Sequence, residues 1–193
     1  MRERPDERDR RFDSLFASYG TDMVAYCSWR ADGATDAQDA VAEVFLTAWR
    51  RLDQVPEGEA ARVWLYATAR KVLANQRRSK RRRVALQERL TVQAAPVSTE
   101  PTEEEAPVRE ALRRLSPQDR EVLLLAEWEG LSPAQIAVVL DCLTVTARGR
   151  LHRARRRFQA VFEDVRADEA GASLGRKVGE DPATSTYFVQ PQL

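Results

Sequence analysis

Two short phrases punctuate the second half of the chain, Ser116-Pro117-Gln118-Asp119 and Ser132-Pro133-Ala134-Gln135. Each offers a serine oxygen to the free N–H groups of a first helical turn, and a proline whose fixed φ suits that turn. The first adds an acid in the first turn; the second adds Gln135 three places on, a capping box. Gly130 stops the helix that opens at Ser116. The short helix that opens at Ser132 carries Ile136, Ala137, Val139 and Leu140, and Asp141-Cys142-Leu143 breaks it. A longer helix follows. Short helix, tight turn, longer helix is the order of a helix-turn-helix.

That longer helix is "LTVTARGRLHRARRRF", Leu143 to Phe158, with seven Arg or His residues and no acid. Ala147, Leu151, Ala154 and Phe158 recur at spacings of four and three and are expected to pack inward. Arg148, Gly149, His152 and Arg153 then project from the opposite side. This is the geometry of a recognition helix, with early turns at base edges and later arginines near phosphates. Gly149 weakens the helix by about 1 kcal/mol relative to Ala. A missing side chain there permits close backbone approach to DNA; drift at a tolerant site is the alternative.

The first half is helical too, because no period-two alternation and no hairpin turn interrupts it. In "TDAQDAVAEVFLTAWRRL", Thr35 and Gln38 are spaced as a capping box, and apolar residues fall at 37, 40, 41, 44, 45, 48, 49 and 52. Asp39, Glu43 and Leu46 lie off that stripe. Before it, Phe12, Leu15, Phe16, Tyr19, Met23, Val24 and Cys27 suggest another amphipathic helix. After the loop "DQVPEGEAA", a third helix runs from about Glu59 towards Arg83. Its apolar face is Trp64, Leu65, Thr68, Ala69, Val72 and Leu73, while Lys71, Asn75 and Arg78 form a polar stripe suited to nucleic acid.

The formal net charge of +1 hides segregation. Between Arg70 and Arg89 nine Lys or Arg face one acid; between Val97 and Glu110 five Glu face one Arg; between Arg148 and Arg157 stand six Arg and no acid. Two basic blocks with an acidic one between imply two polyanion-binding surfaces and a linker unlike either. The expected fold is all-α, with two small helical domains over 8–90 and 107–164. An acidic, proline-containing linker over 91–106 joins them, and a disordered tail over 165–193 follows. Two distant cysteines, Cys27 and Cys142, and the single His152 cannot supply a zinc site, so neither a metal nor a cofactor is expected. No catalytic constellation emerges, and an enzyme is not expected. No apolar run reaches the roughly 20 residues of a membrane helix, so a soluble, cytoplasmic chain is expected.

Taken together, "DAQDAVAEVFLTAWRRL", "RVWLYATARKVLANQRR" and "LRRLSPQDREVLLLAEWEGLSPAQIAVVLDC…RGRLHRARRRF" resemble the extracytoplasmic-function (ECF) sigma factors of bacterial RNA polymerase, over roughly residues 10–162. The resemblance implies a first domain that clamps core RNA polymerase and opens the minus-ten promoter element. It implies a second domain that reads the minus-thirty-five element, with the linker acting as an RNA mimic. Asp39, Glu43 and Leu46 would touch the polymerase. The loop from Val55 to Arg62 would capture a flipped base, and Arg62, Lys71, Asn75 and Arg78 would serve the minus-ten element. Arg148, Gly149, His152 and Arg153 would face the minus-thirty-five element. Ala42 stands where the family usually has Gln, Lys71 where many members have Asn, and "LTVTARGR" replaces a commoner "xSVGTVKSR" type. The implied function is promoter-directed initiation with core polymerase, promoter DNA and an anti-sigma factor as partners. The other readings are a sigma mimic that sequesters an anti-sigma factor, and a stand-alone helix-turn-helix repressor.

Overall fold

The computed structural model describes residues 5–87 and 106–178, which form seven α-helices, one 3-10 turn and no strand. The first half holds α1 (Pro5–Ser28), α2 (Ala34–Arg50), the 3-10 turn (Leu52–Gln54) and α3 (Glu59–Gln87). The second half holds α4 (Ala106–Arg114), α5 (Pro117–Glu127), α6 (Pro133–Leu140) and α7 (Thr144–Val178). The acidic run ahead of Ala106 and the apolar cluster Tyr187-Phe188-Val189 lie outside the described residues.

The stripe on α2 is the spine of the first half. Ala37, Ala40, Val44, Phe45, Ala48 and the following Leu52 are buried, and Val41 and Trp49 are half-buried. Its N-terminus differs from expectation. The helix starts at Ala34, its N-cap is Gly33, and no side chain caps it. Thr35 therefore sits inside the first turn, so the Thr35–Gln38 capping box does not form; a capping side chain works only from the non-helical N-cap. On α1, Leu15, Met23 and Cys27 are buried, but Phe16 and Val24, expected on the same face, are exposed. Phe16 lies at the stripe's edge and offers its ring to Phe45 at 4.8 Å. The single apolar face expected on α3 divides in two. Leu65, Ala69 and Leu73 enter the core, while Trp64, Thr68 and Val72 are half-buried beside a groove.

In the second half both serines cap. The Asp119 N–H donates to Ser116 Oγ (3.1 Å). At Ser132 the reciprocal pair is complete: Gln135 N–H to Ser132 Oγ (3.3 Å) and Ser132 N–H to Gln135 Oε1 (2.8 Å). The turn after α6 is made by Asp141 in the left-handed region, φ 53°, the only non-glycine with positive φ among the described residues. Asp tolerates that conformation. It lets the Cys142 N–H reach back to the Ala137 carbonyl at 2.9 Å, which closes the helix end and aims the chain into α7. Of the four α7 residues expected to pack inward, Ala147, Leu151 and Ala154 are buried and Phe158 is half-buried.

Asp119 does more than help Ser116 start α5. Its carboxylate accepts from the Ser116 hydroxyl (2.8 Å) and, on both oxygens, from Arg157 Nη1 on α7 (2.9 and 2.7 Å). Burial alone would raise its pKa, yet the Ser116 hydroxyl and the Arg157 guanidinium together hold it below the ordinary 3.8. A carboxyl with a depressed folded-state pKa stabilises fully above its unfolded value, and that contribution disappears as pH falls through the folded one. Asp119→Asn should therefore lower the melting temperature at pH 7 and flatten the acid limb below about pH 4. Melting curves from pH 7 to 2 test this; parallel acid limbs in both proteins would refute it.

The helical course of α7 departs from the expected tail. It continues past 164 to Val178, and Val165 is buried. Val161, Phe162 and Val165 extend the stripe that Phe158 begins, with the Phe158 and Phe162 rings stacked 5.7 Å apart. α4 packs along this extension, and Arg114 joins Asp168 at 3.2 Å. Residues 179–193 of the expected tail lie outside the described residues.

The two halves are packed together, and their buried residues form one continuous cluster. At the junction Arg30 is buried. Its Nε donates to Glu121 (2.8 Å) and its Nη1 to Glu129 (3.3 Å), both of the second half. The Tyr26 hydroxyl donates to Glu121 (2.8 Å) and the Tyr66 hydroxyl to Glu129 (2.9 Å). Burial first, then the neighbouring carboxylates, push both phenols well above their ordinary pKa. Both therefore stay protonated and donate. Burial also pushes the Cys27 thiol up to about 11, which keeps it protonated and unreactive at neutral pH.

Candidate nucleic-acid interface

The outer face of α7 is built by exclusion. Once Ala147, Leu151 and Ala154 are committed to the core, 3.6-residue periodicity turns Arg148, His152 and Arg153 to solvent, and all three are exposed. Gly149 is half-buried because Arg153 lies back across it: a methyl group added at Gly149 would stand 3.3 Å from Arg153 Nη1. The bare helix surface there is shared between backbone and guanidinium. Not every arginine of the basic run is available. Arg155 pairs with Glu127 (2.8 Å) and Arg157 with Asp119 (2.7 Å), so the expectation of later arginines at phosphates does not extend to these two in this arrangement. The run looked acid-free only because its acids come from α5.

A second surface lies between the halves. A groove of about 1400 Å³ is lined by Asp39, Glu43 and Leu46 of α2, by Trp64, Lys71 and Asn75 of α3, and, on the far wall, by residues of α6. The sequence assigned the α2 and α3 residues to two different roles; the fold brings them to one cleft. Asp39, Glu43, Lys71 and Asn75 are exposed, and Leu46 is 41% exposed, a large apolar residue with no core duty. Arg78, also exposed, is not among the lining residues. Elsewhere in the first basic block Lys80 is held by Asp36 (3.0 Å) and Asp32 (3.4 Å).

Arg62 stands apart from the other candidates. Its Nε faces Asp22 (3.2 Å), its Nη1 Glu59 (3.4 Å), and its Nη2 donates to the Glu129 carbonyl at 2.8 Å. It is engaged with the second half rather than displayed to solvent. Sequence reasoning did not single out Tyr26, Arg30, Tyr66, Glu121 or Glu129, which organise this junction. A signal existed: Glu121 and Glu129 flank the apolar run of α5, where a carboxylate can be buried only against a cation. Nothing local names the cation.

Among the described residues no cluster of His, Cys, Asp and Glu could hold a metal ion, and no helix is long and apolar enough to cross a membrane.

Comparison with known proteins places the chain in a family. The Sigma-70 region 2 model matches residues 15–83 and the Sigma-70, region 4 model residues 105–158. The chain is 27% identical over 157 residues to the ECF RNA polymerase sigma factor SigL of Mycobacterium tuberculosis, covering 79% of this chain and 89% of that one. It is 30% identical over 181 residues to the RNA polymerase sigma-H factor of Pseudomonas aeruginosa, covering 84% and 92%. Among solved structures, the sigma factor RpoE, in complex with the anti-sigma factor NepR from Bartonella quintana, matches with a TM-score of 0.67 at 23% identity. That match covers 79% of this chain and 96% of that one, and it is a likeness of fold. Region 2 falls on the half that carries the α2–α3 cleft and region 4 on the half that carries the helix-turn-helix, and the chain belongs to the ECF branch of the sigma-70 family of RNA polymerase sigma factors.

Proposed function

We propose that this sigma factor holds core RNA polymerase through Asp39, Glu43 and Leu46. Its α3 residues Lys71, Asn75 and Arg78 serve the separated strand of the minus-ten element, and Arg148, Gly149, His152 and Arg153 meet the minus-thirty-five duplex. Arg62 joins the minus-ten set once it is released from Glu129. The observation that carries this reading is the outward face of the first turns of α7: exposed Arg148 and Arg153 flank exposed His152, no acid lies between Thr144 and Phe158, and Ala147, Leu151 and Ala154 on the other side are spent on the core. An anti-sigma factor is the expected regulator, and the α2–α3 cleft with its exposed Leu46 is where it would compete with the polymerase.

The test is run-off transcription with core polymerase and a pool of genomic promoter fragments. Transcripts that require this chain are expected. Their absence with active core would refute promoter direction and leave the sigma mimic or a repressor. The polymerase contact is checked separately. Asp39→Lys with Glu43→Lys should weaken core binding by at least tenfold, since like charges across an interface cost several kcal/mol. Neither residue packs in the core, so the double variant should melt with the parent. Core affinity equal to the parent's would remove the role.

A further inference from the structure

We propose that Val145 reads the C5-methyl group of a thymine in the minus-thirty-five duplex, making it a specificity residue of α7. Val145 is 72% exposed, level with Leu143 as the most exposed large apolar residue among those described. It is the second residue of α7, and its spacings of three, four and seven to Arg148, Gly149 and His152 put it on their face. The core does not use it, because Ala147, Leu151 and Ala154 fill the inner side. Helix formation does not favour it either, since a β-branched residue at a solvent position is a poorer helix former than alanine. Duplex DNA gives such a residue a partner. The thymine methyl is the apolar feature of the major-groove edge, and the first residues of a recognition helix are those that reach base edges. Arg148 and Arg153 supply the attraction that brings the face to the groove; Val145 then distinguishes a methyl-bearing base from the others.

The inference rests on the reading of α7 as the face that meets duplex DNA, and the experiment separates the two. Holoenzyme reconstituted from core polymerase and the full chain selects from a random duplex pool. The selected duplex is then resynthesised with each thymine of its upstream element replaced in turn by deoxyuridine, which removes only the methyl. One position is expected at which deoxyuridine weakens wild-type binding roughly fourfold, the value of one buried methyl group. Val145→Ala should bind the thymine duplex as weakly as the wild type binds the deoxyuridine one, and should lose nothing further on that replacement. Val145→Thr, which keeps one methyl, should fall between. If Arg148→Ala weakens binding but no deoxyuridine position matters, or if Val145→Ala keeps the full methyl effect, the assignment of Val145 is wrong and α7 remains the DNA face. If selection enriches no upstream element, both fall together.

Discussion

Replacing Arg30 by alanine should separate the two halves of the chain while leaving each folded. The Arg30 side chain is 5% exposed, and its guanidinium lies 3.6 Å from the centroid of the Tyr26 ring. Glu121 and Glu129 both converge on it from the second half. Swapping such a set for apolar residues is often neutral, but removing one member strands the others. The penalty for stranding a buried charge is about 3–5 kcal/mol. Here the chain has an exit: undocking returns both glutamates to water, so the cost falls on the contact between halves. Small-angle scattering should show an expanded particle. Fluorescence should change too, because Trp29 and Trp128 meet across the junction with ring centroids 6.1 Å apart. A compact Arg30→Ala protein with unaltered tryptophan emission would exclude the role.

At the same junction Glu129 contributes a pH dependence of fixed sign. Burial raises the Glu129 carboxyl above the ordinary 4.5, against the opposing pull of Arg30 and Tyr66. The docked state therefore holds its proton to higher pH than the undocked one. The contribution of Glu129 to docking is fullest below the ordinary value and is lost as pH rises through the raised one. Docking also bears on promoter binding. Elements named minus-ten and minus-thirty-five are about 25 base pairs apart, roughly 85 Å at 3.4 Å per pair. On the proposed function, in which the first half meets one element and the second half the other, undocking is expected to accompany promoter engagement. Arg30→Ala should retain promoter-directed initiation.

Alanine at Arg148 and Arg153 together should produce the largest loss of promoter affinity. Each cation that reads a base edge contributes about 1–3 kcal/mol, and each that neutralises a phosphate reduces the salt slope by about one. The double variant should thus bind at least an order of magnitude more weakly and depend less on salt. Its stability should stay close to the parent's, since both side chains are exposed and Arg153 adds only the weakest of the pulls that lower the Asp119 carboxyl, behind the Ser116 hydroxyl and Arg157. Arg157→Ala is the contrasting case. It frees the Asp119 carboxylate and should lower the melting temperature with a smaller effect on DNA affinity. Equal affinity of the Arg148/Arg153 double variant and the parent, in filter binding across a salt series, would dismiss α7 as the reader.

What the sequence determined by itself is local. Ser116 and Ser132 start α5 and α6 because a capping side chain reaches N–H groups only two or three residues on. The α2 stripe and the Ala147–Leu151–Ala154 row name their own buried faces through a 3.6-residue period. With the core face of α7 settled, the exposed arginines followed. Where the local signal was weaker, expectation failed. Gly33 rather than Thr35 opens α2, and α7 runs on to Val178 despite glycines at 171 and 175. The apolar row through Val161, Phe162 and Val165, packed against α4, carries the helix past 164. Only the tertiary structure decided which charges meet. Arg30 finds Glu121 and Glu129 more than ninety residues away, Arg62 leaves solvent for the Glu129 carbonyl, and Arg157 is spent on Asp119. A lone charge on a helix is equally compatible with water and with a buried partner. The free energy that chooses between them lies in the desolvation of both groups together, a quantity that exists only once two helices have met.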